Sequence, residues 1–446
     1  MKKKKAITLL SMLSVLLAFL IVMTFARFPI GINNYKSVIG AIDLDYDLAG
    51  GVAYTLTLAG DNEEEVKDVD QVVETLENRI KALGYQTFSV KAIKDTDEDV
   101  LDYDIRIELK ETTTVDTDIS VIASYGSVKF YGGTSSNPTE EILADVTAVK
   151  GSSYLGSFSG YDNEGNPVTQ YGISIEFTEE CYNELIKEIE KAEANNESYY
   201  LSIKLVGDEE TELWPGTSAI KSDDISNRVL NGYLTDESTA KQLALQIGSG
   251  GLNYKYNISA GQYVTSPYGE NIPTKVAISI GAILALVMIV MLFAYKGFGI
   301  ISALSMLCFM QVEVIMMIAV PGVVLSLGGV VGIIVATLFT AIAITNVASR
   351  IKEECKDTQK TVKAAVKKSF ASSLMSTIIA GAVAGVMALA LFFLTSGLVK
   401  GFAITFGIGV GVGLISALVF TRMFTALIFP LVKNCEAFLG LKREDK

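Results

Sequence analysis

The sequence predicts an α-helical polytopic membrane protein of six spans, with a large α+β domain inserted between the first span and the second. Three observations predict it. Long uncharged apolar runs occupy the start and the last third of the chain. An acidic stretch between them alternates strand and helix patterns. Lysine and arginine gather on one side of the apolar runs. Half of the 446 residues are hydrophobic and 20% are charged, a mixture too apolar for an ordinary soluble protein and too charged for spans alone.

A hydrocarbon core about 30 Å thick takes roughly 20 apolar helical residues to cross. Residues 6–28 meet that requirement behind Lys2, Lys3, Lys4 and Lys5. A cleaved signal peptide would look similar, but the apolar run is long for one and the small-x-small pattern around Thr24-Phe25-Ala26-Arg27 is poor, so a retained anchor is expected. The later spans read as 276–295, 300–320, 325–347, 370–393 and 402–427. Short joints at 296–299, 321–322 and 395–401 make successive spans antiparallel. One longer joint is basic, with Arg350, Lys352, Lys356, Lys360, Lys363, Lys367 and Lys368.

Lysine and arginine mark the cytoplasmic side of short loops. The N-terminal lysines, Lys296, the Arg350 to Lys368 joint and the tail with Lys433, Lys442, Arg443 and Lys446 share one side, and only Lys400 marks the other. Both termini are therefore expected in the cytoplasm and 29–275 on the outer side of the membrane. The domains follow as 1–28 (first span), 29–133 and 134–275 (two α+β subdomains), 276–430 (five-helix bundle) and 431–446 (tail).

In the first subdomain, residues 52–58 read as a strand and 66–83 as an amphipathic helix, with Val69, Val72, Val73, Leu76, Ile80 and Leu83 on one face. Strands at 88–92 and 103–109, a helix at 119–125 and a strand at 127–131 complete a βαββαβ order, which suits a split βαβ sandwich resembling a ferredoxin-like base. Beyond Gly132, Gly133 and Pro138, a strand at 172–177, a helix at 179–194, a strand at 199–206 and a helix at 238–247 make a second unit. The last helix ends at Gly248-Ser249-Gly250-Gly251, as helix C-termini often do.

Composition excludes much chemistry. The net charge of −13 resides mainly in the middle domain and argues against nucleic acid. There is no histidine, which removes imidazole triads, His-type zinc sites and histidine relays. Of Cys181, Cys308, Cys355 and Cys435, only Cys181 lies in the outer domain, where it reads as a buried thiol. No Walker-type loop is present. No cofactor is expected, and no enzyme activity.

The small residues Gly381, Gly385, Gly401, Gly407, Gly409, Gly411 and Gly413 allow close helix approach, either for plain bundle packing or for an interface that slides. Gly50-Gly51 permits a tight turn whose amides Asp47 can bond, and the pair reads either as a structural turn or as a hinge. Lys400, before Gly401 and Phe402, reads as an interfacial anchor.

Specific runs then stand in a telling order: Asp47-Leu48-Ala49-Gly50-Gly51, Thr75-Leu76-Glu77-Asn78-Arg79-Ile80, Asn231-Gly232-Tyr233, Ser249-Gly250-Gly251-Leu252, Gly329-Val330-Val331-Gly332, Arg350-Ile351-Lys352-Glu353-Glu354 and Gly397-Leu398-Val399-Lys400-Gly401-Phe402. Together with the topology they resemble the SecD family of the bacterial protein-export machinery. The resemblance implies an accessory subunit with a bundle related to the resistance–nodulation–division transporters. It also implies a SecF-like subunit and the SecYEG channel as partners, unfolded secretory polypeptides held at the outer face, and proton flow through the bundle.

In that family the fourth span carries an aspartate and, two residues on, an asparagine. Ile342 and Ile344 occupy those places here, and the next span reads Leu374-Met375-Ser376-Thr377. Glu313, with Gln311 nearby, is the one acid deep in a span and so a functional candidate. It lies on the order of 10 Å from the outer turn at Pro321, against roughly 25 Å for Ile342, so it is not a direct replacement. Competing readings are an exporter of a small amphiphile or lipid, and a surface binding protein whose spans merely anchor it in the lipid bilayer.

Overall fold

The computed structural model describes residues 3–26, 28–30, 33–35, 37–59, 69–94, 103–135, 140–143, 149–161, 167–206, 210–214, 219–249, 251–252, 254–356, 362–432 and 438. Lys360, Lys433, Cys435, Lys442, Arg443 and Lys446 lie outside the described residues. The chain forms two compact units, one of Met1–Gly50 with Thr265–Lys446 and one of Gly51–Val264.

Among the described residues, six helices are long and apolar enough to cross a membrane: Lys3–Phe25, Ile272–Tyr295, Gly297–Ala319, Leu327–Cys355, Ala364–Leu394 and Gly397–Leu431. The chain is thus a multi-pass membrane protein with an α+β region between its first and second spans. Several helices outrun their apolar cores. The fourth runs over Leu327–Lys356 and the fifth over Val362–Leu394, because lysine and glutamate are good helix formers and their chains reach water at the interface. The first stops at Phe25, three residues short of the apolar run, and Phe28–Ile30 pairs instead with Asn33–Tyr35 as a hairpin.

Inside the bundle, spans four and six pack at glycines. A methyl group on Gly328 would collide with the Leu398 carbonyl, and one on Gly332 with the Thr405 hydroxyl and with the Phe402 carbonyl at 2.7 Å. Thr405 donates to the Gly329 carbonyl across this seam at 2.8 Å. Gly409 and Gly413 continue the seam toward Ala336 and Thr340, whereas Gly385 and Gly411 face open space. Small residues thus serve close packing at some positions and nothing at others. The sixth helix widens into a π-turn over Ser416–Phe420 before Thr421–Ile428 continues it.

The described residues of the Gly51–Val264 unit form two cores. In the first, Gly51–Leu58 is the central strand of an antiparallel sheet, with Tyr103–Leu109 and then Phe88–Lys94 to one side. Tyr256–Ile258 and Gln262–Val264 pair on its other side. Helices Val69–Ala82 and Val115–Ile122 press Leu76, Ile80, Ile119 and Ile122 onto Leu56, Ile105, Ile107 and Leu109. The strand expected to complete a split βαβ sheet, Ser127–Gly133, instead pairs with Tyr199–Val206 and Glu140–Leu143 in a second sheet. Alternating apolar residues fix which face of a strand is buried but not which neighbour it joins.

A third sheet, of Ile225–Ser226, Val229–Leu234, Pro167–Phe177 and Val149–Tyr161, shares the second core with helices Glu179–Ala194 and Glu237–Ser249. Thr178 caps the first of these helices, accepting from the Cys181 amide at 3.4 Å. Cys181 itself is buried there, and burial pushes its thiol up to about 11, as suits an inert packing residue.

Candidate functional site

Within the membrane unit, the segment around Asp47 docks on the start of the fourth span. Leu44 bridges to Leu325 in parallel fashion, through Asp45 N–H to Leu325 O at 3.0 Å and Leu325 N–H to Asp43 O at 2.8 Å. The Leu327 amide, first of its helix, donates to the Asp47 carboxylate at 2.6 Å, and Ser266 donates to the Asp47 carbonyl at 2.5 Å. Leu48 is sealed beneath with Ile272, Met317, Leu325, Val330 and Ile333. Asp47 therefore caps the fourth span from 280 residues away, where an acceptor meets a free amide and the positive end of the helix dipole.

Burial is the largest influence on Asp47 and, with the nearby Asp45, outweighs the Leu327 bond, so its carboxyl is raised from 3.8 to about 6. The folded chain then holds a proton that the unfolded chain releases near pH 4. Between those values the folded state binds more protons, so stability falls as pH rises through the window. Asp47→Asn keeps the acceptor and should flatten the stability profile between pH 4 and 6, measured by thermal unfolding in detergent. A slope unchanged from the parent would remove Asp47 as its source.

Gly50 follows with φ 83° and ψ −168°, a region that residues with a side chain essentially do not enter. The chain passes from one unit to the other at Gly50-Gly51. On Gly51, a methyl would run into the Leu109 carbonyl. Both glycines are thus required by the backbone.

Deeper in the bundle, Gln311 and Glu313 diverge. Two residues apart on a helix they point to opposite faces. Gln311 accepts from Thr24 at 2.7 Å, tying the third span to the first. Glu313 is 0% exposed and neither carboxylate oxygen has a hydrogen-bond partner. Its neighbour on the sixth span is Gly409, where a methyl would sit 2.7 Å from Glu313 Oε1.

Near the other end of the seam, Lys400 lies 5.0 Å from the Phe392 ring centre, within cation–π range. Gly401 is buried and Phe402 stacks on Phe406 at 5.4 Å.

Ile342 and Ile344 separate. Ile344 is wholly buried, whereas Ile342 is 69% exposed and lines a groove of about 320 Å³ between spans four and five with Asn346, Ser349, Ser376 and Thr377. Asn346 donates to Ser376 at 3.0 Å across it. Sequence reasoning passed over Asn346, although an amide within such an apolar run was the available signal. Among the described residues, no group of three or more His, Cys, Asp or Glu side chains could hold a metal ion.

Six candidate spans among the described residues, a glycine-seamed bundle and an α+β domain after the first span define a multi-pass α-helical membrane protein with an inserted α+β region. The family model described as "Protein export membrane protein SecD/SecF, C-terminal" matches residues 250–429, which take in the five-helix bundle. A crystal structure of SecDF in a super-membrane-facing form is similar over 95% of this chain, with 22% identity and a TM-score of 0.64, and shows the same fold. This chain spans 57% of the length of that one. A second SecDF structure, from Thermus thermophilus, is 20% identical over 94% of this chain and 58% of its own, at a TM-score of 0.43. No curated protein matches.

Proposed function

We propose that this chain is an accessory subunit of a bacterial protein-export machinery. It sits in the plasma membrane with both termini cytoplasmic and residues 29–275 outside. The outer unit binds emerging polypeptide and assists its passage, beside a SecYEG channel and a SecF-like subunit. One observation carries the reading: a SecD/SecF C-terminal domain over the bundle coincides with a SecDF-like fold across 95% of the chain. The reading of the spans as plain anchors is disfavoured by Glu313, Gln311 and the buried hydroxyls of Ser305, Thr405 and Ser416, since such groups are costly where anchoring alone is needed.

Deleting the chain should slow signal-sequence cleavage of secreted proteins in a pulse–chase experiment, while cytoplasmic enzyme levels stay as they were. Export kinetics identical to the parent strain would rule the assignment out.

A further inference from the structure

Buried polar side chains in the bundle are, almost without exception, spent on bonds. Gln311 is bonded by Thr24, Thr405 bonds Gly329 O, Ser416 bonds Ser305 O at 2.8 Å, and Thr421 bonds the Ser305 hydroxyl at 3.1 Å. Among the described residues of the bundle, the Thr377 hydroxyl and Glu313 depart from this, and Glu313 is the ionisable one, fully enclosed with both oxygens unpartnered. A carboxyl held this way returns nothing to the stability of the fold, and that is the signature of a group kept for another task.

We propose that Glu313 is a proton-binding site in the core of the bundle, formed with Gly409 of the sixth span and Ala336 of the fourth. Gly409 presents helix backbone, whose carbonyl is engaged within the helix, and Ala336 a methyl, so neither brings a side-chain oxygen donor of the kind a metal cation needs. Among the described residues, no cation bonds the carboxyl either. Lys275 and Lys296 stand at the ends of the second span, Lys400 and Arg422 are near the two ends of the sixth, and the fourth carries its basic residues from Arg350 onward. On the third span the only other titratable side chain is Cys308, which packs in a different cluster, with Phe298 and Ile301.

A neutral carboxyl is tolerated in this enclosure, whereas an ionised one must acquire water or donors. The adjoining glycine makes the third and sixth spans the surfaces that part to admit them. Proton loss is thereby coupled to the packing of these two helices. The site does not rest on the export reading, and its test makes no use of secretion.

The test is infrared spectroscopy of the full chain in lipid nanodiscs across a pH series. Glu313 is the only acid between residues 272 and 352, and Glu313→Gln assigns its signal. A carbonyl stretch of a protonated buried carboxyl that fades as pH rises, and is lost in E313Q, is the expected result. A Glu313 band unchanged at every pH at which the chain stays folded overturns the proposal, as does no such band at any pH. Should E313Q fail to assemble, Glu313→Asp shortens the side chain by one methylene and must shift the band, and an unshifted band also overturns the site.

Discussion

Replacing Arg79 by methionine should destabilise the Gly51–Val264 unit by about 2–4 kcal/mol, the order expected when two buried carbonyls lose a charged donor. Arg79 is 0% exposed, and its Nη1 donates to the carbonyls of Ile122 and Ser124 at 2.8 Å each, while Nε reaches Ser249 Oγ at 3.3 Å. These carbonyls lie at the end of helix Val115–Ile122, where acceptors have no partner inside the helix. Burial lowers the guanidinium to about 10, so it remains charged at neutral pH. Methionine would fill much of the space but leave two carbonyls without their donor. Arg79→Lys keeps the charge but not the planar fork that serves both carbonyls, and should recover only part of the loss. Denaturant unfolding of the full chain, followed by proteolysis of the Gly51–Val264 unit, measures both. A methionine variant as resistant as the parent would show that the carbonyls find other donors.

The second large effect is expected at Gly332. Its added methyl would meet the Thr405 hydroxyl and stand 2.7 Å from the Phe402 carbonyl and 3.0 Å from the Phe406 amide, and the backbone of the sixth span cannot turn aside as a side chain can. Overpacking commonly costs about 1–3 kcal/mol. Gly332→Val should reach or exceed the upper end, because parting the helices also breaks the Thr405–Gly329 bond. Thermal unfolding in detergent should show a markedly lower midpoint, with Gly411→Val, which faces open space, as the control. Equal midpoints for the two variants would mean that the seam yields freely.

The spans were legible because a run of about 20 apolar residues admits almost no other reading. Helix Glu179–Ala194 and strand Tyr199–Val206 match the boundaries read from their patterns. The long strand Val149–Tyr161 went unread, since its glycines and serines hide any alternation. Arg79 was visible as part of a motif, but the role of a buried arginine depends on carbonyls 43 and 45 residues away. Asp47 was seen as a turn residue, while its Leu327 partner lies beyond the reach of any local rule. Glu313 stood out in the sequence as an acid among apolar residues. Its lack of bonds emerged only when the facing residue proved to be a glycine.

The widened turn at Ser416–Phe420 has an effect on bookkeeping along the sixth helix. In a regular helix, positions five apart differ by about 140° and point to different neighbours. Here Ser416 and Thr421 both address Ser305, because the spare residue lets the winding fall one step behind. Everything downstream inherits that offset, including Phe424, which packs in the cluster around Phe298. The helix behaves as a vernier: one residue gained or lost in the turn would swing its whole closing segment by about 100°.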